Sequence, residues 1–312
     1  MNCTITVIIC SRDNTASLSK TLENISSLRV SPGCEAELLI IDNSSEPLYE
    51  TLVRDFKSEE LNVRCVHEPK PGLSVARNTG LRNSTSDIIV FTDDDVAPEA
   101  DWLCNLTGPI RLGAADAARG RITLAPHLIR PWMTETHFHW LASPTSDSPN
   151  NKWLIGASMA FHRRVLQKVP QFDESLGAGA LGFCEEQLFA MQLVEAGYTI
   201  HLAENAQAIH YPDLSRLDRN KWIDQAIRRG ASVAYLEHHW LHKRYTFSRL
   251  RQLYAHLKLI LRSSITSVNR RGDASCPEWE MSYHVQINKL KSYTSIKNQT
   301  RRYNLRGLSQ LR

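Results

Sequence analysis

A buried strand that runs directly into three carboxylates constrains this chain more than any other feature. Residues 88–91 are Ile-Ile-Val-Phe, and Thr92 leads into Asp93, Asp94 and Asp95. The apolar run predicts a buried strand, and open α/β sheets bind ligands at the carboxyl ends of their strands. Neighbouring carboxylates repel one another, and hard oxygen ligands suit Mg²⁺ or Mn²⁺. The alternative is an acidic turn that caps the following helix.

Strands and helices alternate at short spacing through the first hundred residues. Strands are predicted at residues 4–10, 37–41, 63–66 and 88–91, and helices at residues 17–28, 48–56 and 73–81. This alternation predicts a parallel, doubly wound α/β sheet. Because the strands of such a sheet end along one crevice, residues 11–13, Asp42 and the acidic triplet are expected to meet there.

Three further stretches each allow a functional and a structural interpretation. Lys70 and Arg77 flank the Pro-Gly turn at Gly72, where a helix start favours anions, although surface helices carry such cations too. Residues 153–161 are apolar and contain small residues, which permit either ligand approach or tight strand packing. A strand is predicted at residues 198–202, and the lone histidine after it, His210, is of a type that is more often structural.

Two adjacent carboxylates, Glu185 and Glu186, begin a predicted helix that ends near Gly197. Carboxylates at this position stabilise the helix through its dipole, by about 0.5 kcal/mol. Alternatively, one of them is a general base that faces the crevice. The pattern alone favours neither interpretation.

The charge is distributed unevenly between residues 1–212 and residues 213–312. The first range has 17 Lys and Arg against 26 Asp and Glu, and the second has 20 against 7. We expect the first to be the catalytic domain and the second a basic, mainly helical region that contacts an anionic partner or is simply solvated. Its amphipathic helix near residues 250–261 either lies on an anionic membrane or packs on its own domain. Residues 292–312 are predicted to be a disordered tail.

Composition favours a globular cytoplasmic protein. Apolar residues make up 42% of the chain, and no secretion signal or membrane-spanning run is expected. The seven cysteines contain no CxxC pair, so neither a zinc site nor a disulfide framework is predicted. Residues 143–151 are expected to form a loop.

Six ordered blocks resemble the family 2 glycosyltransferases over roughly residues 4–235. The blocks are Val7–Arg12, Ile40–Ser45, Pro71–Asn78, Phe91–Asp95, Gly156–Phe161 and Glu185–Tyr198. The resemblance implies a GT-A fold, which has a Rossmann-like, mostly parallel central sheet flanked by helices. Here that fold would carry the basic helical extension at its C-terminus.

The resemblance also implies roles for individual residues. The nucleotide-sugar site would consist of Ser11, Arg12, Asp13, Asp42, Lys70, Gly72, Arg77, Asp93 and Asp94. Asp95 and Asp93, with His210, would bind Mn²⁺ or Mg²⁺, and Asp42 would hold the uridine. Glu186 aligns with the catalytic base, and Glu185 with the acidic residue before it. Trp153, Gly156 and Ala157 would lie on the acceptor side.

This chain departs from the family pattern at the end that faces the acceptor. The family more often has Glu-Asp where this chain has Glu185 and Glu186. It often has an acidic residue where this chain has Leu188, and Arg where this chain has Gln192. The second pair of changes suggests a different acceptor or a weaker acceptor site.

The expected activity is inverting, metal-dependent transfer from a UDP-sugar to a hydroxyl of a glycan, a lipid-linked saccharide or a natural product. Peripheral membrane contact through the basic region is expected, and nucleic acid is not an expected partner. Two alternatives stay open. One is a nucleotidyltransferase, and the other is a non-catalytic protein that binds an anionic partner through residues 213–312 and whose binding weakens steeply with salt.

Overall fold

The structure, a computed structural model, describes residues 3–145, 152–267 and 275–310, so the predicted loop at 143–151 lies mostly outside the described residues. Its centre is an eight-stranded sheet in the order β3-β2-β1-β4-β7-β6-β8-β5. The strands are β1 Cys3–Ser11, β2 Cys34–Asp42, β3 Leu61–His67, β4 Ile88–Thr92, β5 Val96–Pro98, β6 Ala117–Leu124, β7 Met159–His162 and β8 Ile200–His210.

The first four strands of this order are parallel, as predicted. Helices cross over between them: α1 Thr15–Ile25, α2 Glu50–Asp55 and α3 Leu73–Asn83. Ser11 lies beside Asp42 in the register of β1 with β2, and Ile9 lies beside Thr92 in the register of β1 with β4. The polar residues that follow these strands therefore meet at one edge of the sheet.

The second half of the sheet is mixed. β7 is antiparallel to both β4 and β6, whereas β6 runs parallel to β8 with a shift of register between Gly120 and Arg121. The strand predicted at 198–202 continues to His210, because its far end pairs with both β6 and β5. Of the apolar run at 153–161, only the end forms strand β7. The preceding residues turn beside the carboxyl end of β4.

Helices cover both faces of the sheet. One apolar core contains Leu18 and Leu22 of α1 with Trp102 and Leu106 of α4, Trp102–Arg111. The core on the opposite face contains Ala76 of α3 with residues of α6, Glu185–Glu195. Two cores, one on each face, are what a doubly wound sheet requires.

The C-terminal region is helical, as predicted, and packs against the sheet domain. It consists of α7 Arg219–His239, α8 Ser248–Ser267 and α9 Glu278–Ile296, with α9 packed along both α7 and α8. A short helix between β6 and β7, α5 Glu135–Trp140, contacts this region through Thr136, whose hydroxyl donates to Glu278 at 2.6 Å. The domain boundary after residue 212 stays a prediction.

The prediction of a disordered tail at 292–312 is wrong. Helix α9 occupies its first residues, and Tyr303 beyond the helix is only 3% exposed. The hydroxyl of Tyr303 donates to Asp173 at 2.9 Å, and the indole N–H of Trp240 donates to the carbonyl of Gly307 at 2.9 Å. The polar composition of this segment favoured disorder. The segment is nevertheless ordered, because one buried aromatic ring and its own backbone hold it in place.

Among the described helices, none combines the length and the apolar character that crossing a bilayer requires. All seven cysteines are free thiols.

Candidate active site

A cavity of about 930 Å³ opens where β4 ends, between the sheet and the C-terminal helices. Seven of the residues predicted from the sequence line it: Arg77, Asp93, Trp153, Gly156, Ala157, Glu185 and Glu186. They come from α3, β4, the turn before β7 and α6. The topology thus brings together a predicted donor side, a predicted acceptor side and both candidate catalytic carboxylates.

Arg77 is the cation at the floor of this cavity. Its side chain is 3% exposed, and its guanidinium lies 3.0 Å from Glu185 and 3.8 Å from Asp93. The rings of Phe91 and Phe172 lie under the guanidinium, with their centroids 5.9 Å and 5.6 Å from Cζ. Helix α3 therefore holds a buried positive charge between the carboxylates of β4 and those of α6.

The two carboxylates at the start of α6 are in different environments. Glu185 pairs with Arg77 and is 6% exposed. Burial and the neighbouring Glu186 raise its pKa, and Arg77 opposes this shift by stabilising the carboxylate. Glu186 lines the cavity, and its Oε2 is buried with no hydrogen-bond partner among the residues the structure describes. Glu185 is thus engaged in an ion pair, whereas Glu186 retains an oxygen that can accept a proton.

The three carboxylates of the acidic triplet after β4 make different contacts. Asp93 faces the cavity, and burial together with Asp95 raises its pKa against the effect of Arg77. Asp94 accepts hydrogen bonds from Ser11 at 2.5 Å and from Asn14 at 3.3 Å, and burial raises its pKa to about 7. Burial is the main cause of both raised pKa values, and repulsion from the neighbouring carboxylates adds to it.

Asp95 forms a buried pair with His210, whose Nε2 lies 3.2 Å from Oδ2 of Asp95. The other ring nitrogen of His210, Nδ1, lies 2.7 Å from the carbonyl of Leu141. Burial alone would raise the pKa of Asp95, but His210 outweighs it and lowers that pKa, while Asp95 raises the pKa of His210. A histidine that donates through both nitrogens has no lone pair for a metal. In this arrangement His210 therefore orients Asp95.

The donor set suits a hard divalent cation. Asp93 and Asp95 supply carboxylate oxygens at the end of one strand, which is the ligand type that Mg²⁺ and Mn²⁺ prefer. Within residues 3–145, 152–267 and 275–310, no group of three His, Cys, Asp or Glu side chains is already arranged around one point. The ligand role predicted for His210 would require its pair with Asp95 to open.

A second group of predicted residues surrounds the ends of β1 and β2. Asp42 is 1% exposed, and its carboxylate accepts hydrogen bonds from the backbone N–H groups of Ser44 at 3.1 Å and Leu48 at 2.6 Å. The backbone N–H of Asp13 donates to the hydroxyl of Ser44 at 3.1 Å. Asp42 thus fixes the loop after β2, and Ser44 joins that loop to the loop after β1. Its contact with a nucleotide stays a prediction.

The last three predicted residues also lie outside the cavity lining, as do Asp94, Asp95, His210 and the group at the ends of β1 and β2. Lys70 is exposed and pairs with Glu174 at 2.6 Å, while Arg12 is exposed and pairs with Asp13 at 3.4 Å. Gly72 precedes α3 with a φ of 137°, a conformation that favours glycine, and its N–H donates to the side chain of Asn43 at 2.9 Å. Gly72 therefore fixes the start of the helix that carries Arg77.

Sequence reasoning missed the wall that α5 and the C-terminal region build opposite the sheet. Its members include Trp140, Arg216, Lys221, Gln225, Arg228 and Arg229. The guanidinium of Arg229 lies over the rings of Trp140 at 5.2 Å and Phe183 at 5.6 Å. The excess of cations after residue 212 signalled a basic surface, but sequence periodicity did not indicate that part of it faces the cavity.

The sequence matches the model of glycosyl transferase family 2 over residues 6–170, slightly more than half of the chain. The chain belongs to glycosyl transferase family 2. This confirms the resemblance that the six sequence blocks carry. The matched residues run from β1 through β7 and include Arg77 and the acidic triplet, whereas Glu185 and Glu186 lie beyond them.

Two curated relatives show how far the likeness extends. The chain is 34% identical over 125 residues to the succinoglycan biosynthesis protein ExoM of Rhizobium meliloti, which is 39% of this chain and 40% of that protein. It is 25% identical over 239 residues to the pre-mycofactocin glycosyltransferase of Mycobacterium tuberculosis, which is 74% of this chain and 47% of the relative. The likeness thus spans less than half the length of either relative.

Solved structures confirm the GT-A fold of this family 2 chain. The mannosyltransferase PcManGT of Pyrobaculum calidifontis, in complex with GDP-Man and Mn²⁺, superposes with a TM-score of 0.60 at 16% identity and covers 96% of this chain and 88% of its own. Residues 1–349 of TarS of S. aureus superpose with a TM-score of 0.51 at 14% identity, covering 95% and 92%. At these identities the likeness concerns the fold.

Proposed function

We propose that the protein is an inverting, metal-dependent glycosyltransferase that moves a sugar from a UDP-sugar to an acceptor hydroxyl. One observation carries the proposal. A single cavity is lined by a strand-end carboxylate, Asp93, by a buried cation, Arg77, and by Glu186, whose Oε2 has no partner among the described residues. These are the groups that a single displacement at an anomeric carbon requires.

Glu186 is proposed to act as the general base. Its free oxygen accepts the proton of the acceptor hydroxyl while the hydroxyl oxygen forms a bond to the anomeric carbon. The bond from that carbon to the diphosphate breaks on the opposite side, so the configuration inverts. The nucleoside diphosphate leaves with the electron pair of the broken bond.

The negative charge of the leaving group needs cations that are already in place, since preorganised charges stabilise a transition state most. Arg77 supplies one of them, held in position by Glu185. A Mn²⁺ or Mg²⁺ ion bound by Asp95 and Asp93 would supply the other by neutralising the diphosphate. His210 is proposed to aim the Asp95 carboxylate at that ion, because it holds one oxygen of the carboxylate at 3.2 Å.

The relatives support the substrate classes without specifying them. PcManGT is described with GDP-Man and Mn²⁺, which supports a nucleoside-diphosphate sugar and a divalent cation, while the choice of uridine rests on the family resemblance. ExoM is named for succinoglycan biosynthesis, and the mycobacterial relative for pre-mycofactocin. A saccharide, lipid-linked or natural-product acceptor is therefore proposed. Peripheral membrane contact through residues 213–312 is part of the proposal for a lipid-linked acceptor.

A panel of UDP- and GDP-sugars, titrated calorimetrically with Mn²⁺ and with a chelator, tests the donor half of the proposal. We expect one UDP-sugar to bind with Mn²⁺, and chelator or Asp95→Ala to abolish this binding. Asp101→Ala is the matched control, because Asp101 lies at the surface with its side chain 54% exposed. Donor binding that is unchanged both by chelator and by Asp95→Ala would contradict the proposal. Release of pyrophosphate from a nucleoside triphosphate would favour a nucleotidyltransferase.

A further inference from the structure

Helix α8, Ser248–Ser267, presents its apolar side chains to solvent instead of to the protein. Six of its aliphatic residues are between 51% and 76% exposed: Leu250, Leu253, Leu257, Ile260, Leu261 and Ile265. Apart from the adjacent Ile260 and Leu261, they recur at intervals of three and four residues, and all six therefore share one face of the helix. Soluble helices normally bury such a stripe.

The face that α8 turns toward the protein is smaller and more polar. Ala255 is 1% exposed, and Ser248, which is 5% exposed, shares a hydrogen bond of 3.0 Å with Thr294 of α9. Gln252 and His256 are half-buried on the same side. Packing on the domain thus uses the less apolar side of the helix and leaves the more apolar side uncovered.

The charges of α8 indicate which kind of surface covers this apolar stripe. The helix contains four cationic residues, Arg249, Arg251, Lys258 and Arg262, and no Asp or Glu. At 100° per residue these cations border the stripe on both sides, so they would lie beside the surface that the stripe enters. An apolar face with cationic edges is typical of a helix that lies in the interface of an anionic bilayer. A nucleic acid would not cover the stripe, because those interfaces are polar.

We propose that the apolar face of α8 inserts into an anionic lipid bilayer, with the helix parallel to the membrane plane. The leucine and isoleucine side chains would lie at the boundary of the acyl chains, and the arginines and the lysine beside lipid phosphates. The inference deepens the proposed function and rests on it in one respect only, since membrane contact would bring the enzyme to a lipid-linked acceptor. Lipid binding itself requires neither donor nor metal.

Sedimentation of the full chain with lipid vesicles, without donor or acceptor, tests the inference. Vesicles of phosphatidylcholine mixed with phosphatidylglycerol are compared with vesicles of phosphatidylcholine alone. We expect the wild type to bind the anionic vesicles and the double variant Leu253→Ser/Leu257→Ser to bind them at least about tenfold more weakly. A second variant, Arg251→Glu/Lys258→Glu, should no longer bind the anionic vesicles. The salt dependence of vesicle binding that the wild type shows should be lost with it.

Leu112→Ser is the matched control, because Leu112 is 85% exposed at the end of α4, far along the chain from α8. It should bind vesicles like the wild type, and circular dichroism should show unchanged helix content in all variants. Donor affinity measured without vesicles should also be unchanged in the α8 variants, so the inference and the proposed donor site can fail separately. The inference is overturned if the wild type binds neither vesicle or if the leucine variant binds like the wild type. It is also overturned if the leucine change only converts a dimer to a monomer, since the stripe would then be an interface between two copies of the chain.

Discussion

The guanidinium of Arg77 lies 3.0 Å from the carboxylate of Glu185, and the two side chains are only 3% and 7% exposed. The residues are 108 positions apart in the chain, so the pair joins α3 to the start of α6 across the carboxyl end of the sheet. The next residue, Glu186, lines the cavity and has a buried carboxylate oxygen with no hydrogen-bond partner among the described residues. The pair thus separates a structural acid from a candidate base.

Replacing Arg77 by methionine should destabilise the fold by about 3–5 kcal/mol, because it leaves buried carboxylates without their cation. Methionine retains most of the apolar stem against Phe91 and Phe172. Urea unfolding gives the free energy, and Arg82→Met is the control because Arg82 lies on the same helix with its side chain 58% exposed. The control should cost no more than about 1 kcal/mol. Equal costs for the two variants would mean that the buried pair contributes nothing particular to stability.

The position of the Arg77 side chain requires a glycine at residue 156, Gly156. A Cβ at this residue would lie 2.2 Å from Nη2 of Arg77, and the ion pair with Glu185 prevents the guanidinium from moving freely. Gly156→Ala should therefore cost about 1–3 kcal/mol by overpacking and should weaken donor binding as well.

The control for this change is Gly108→Ala in α4. Apart from the adjoining residues and the helix backbone, no atom lies within 4 Å of a Cβ built at Gly108. Alanine is favoured over glycine in a helix by up to about 1 kcal/mol, whereas Pro109 disfavours a Cβ on the helical residue before it, so this change should be nearly neutral. Thermal unfolding and donor titration of both variants make the comparison. Normal donor affinity in Gly156→Ala would show that Arg77 does not need its present position.

The sequence predicted the parallel half of the sheet and the strand that ends in the acidic triplet, since apolar runs and their polar ends are local signals. It also predicted that Glu185 and Glu186 start a helix. The sequence did not predict the different environments of Glu185 and Glu186, because those environments depend on Arg77, which is distant in the chain. The cavity wall near Arg229 and the ordered segment around Tyr303 were missed for the same reason: both result from packing between elements far apart in sequence.

The segment after α9 should contribute to stability, because Tyr303 and Tyr235 both donate to the carboxylate of Asp173, at 2.9 Å and 2.6 Å. Tyr303→Phe should cost about 1–2 kcal/mol for the lost hydrogen bond, and Tyr303→Ala about 3–5 kcal/mol. Tyr254→Phe, at a side chain that is 59% exposed, is the control and should be neutral in urea unfolding. A neutral Tyr303→Ala would mean that this segment does not pack in solution.

Acid should destabilise the protein partly through His239. This ring is 2% exposed, and burial, with the charges of His238 and Arg302, lowers its pKa from 6.5 to about 4. Between these two values the unfolded chain binds the proton and the folded chain does not. The contribution of His239 to the free energy of unfolding is therefore fully present above pH 6.5 and is lost as the pH falls toward 4. It amounts to about 1.4 kcal/mol for each unit of pKa shift.

Unfolding free energies measured between pH 4 and pH 7 test this account of His239. In His239→Phe the slope of stability against pH should be smaller, because the titrating group is gone while an aromatic ring still packs on Tyr235, which lies 4.5 Å away between centroids. His201→Phe replaces an exposed histidine and should leave the slope unchanged. An unaltered slope in His239→Phe would assign the acid sensitivity to other groups.

The most direct test of the central claim, that Glu186 is the base of a nucleotide-sugar transferase, is to measure donor binding and transfer together in Glu186→Gln. The amide retains the size of the side chain but cannot accept the proton. We predict unchanged donor affinity with Mn²⁺ and a loss of turnover of about 10²- to 10⁴-fold, while Glu195→Gln, an exposed position on the same helix, behaves like the wild type. Turnover by Glu186→Gln at the wild-type rate would contradict the claim.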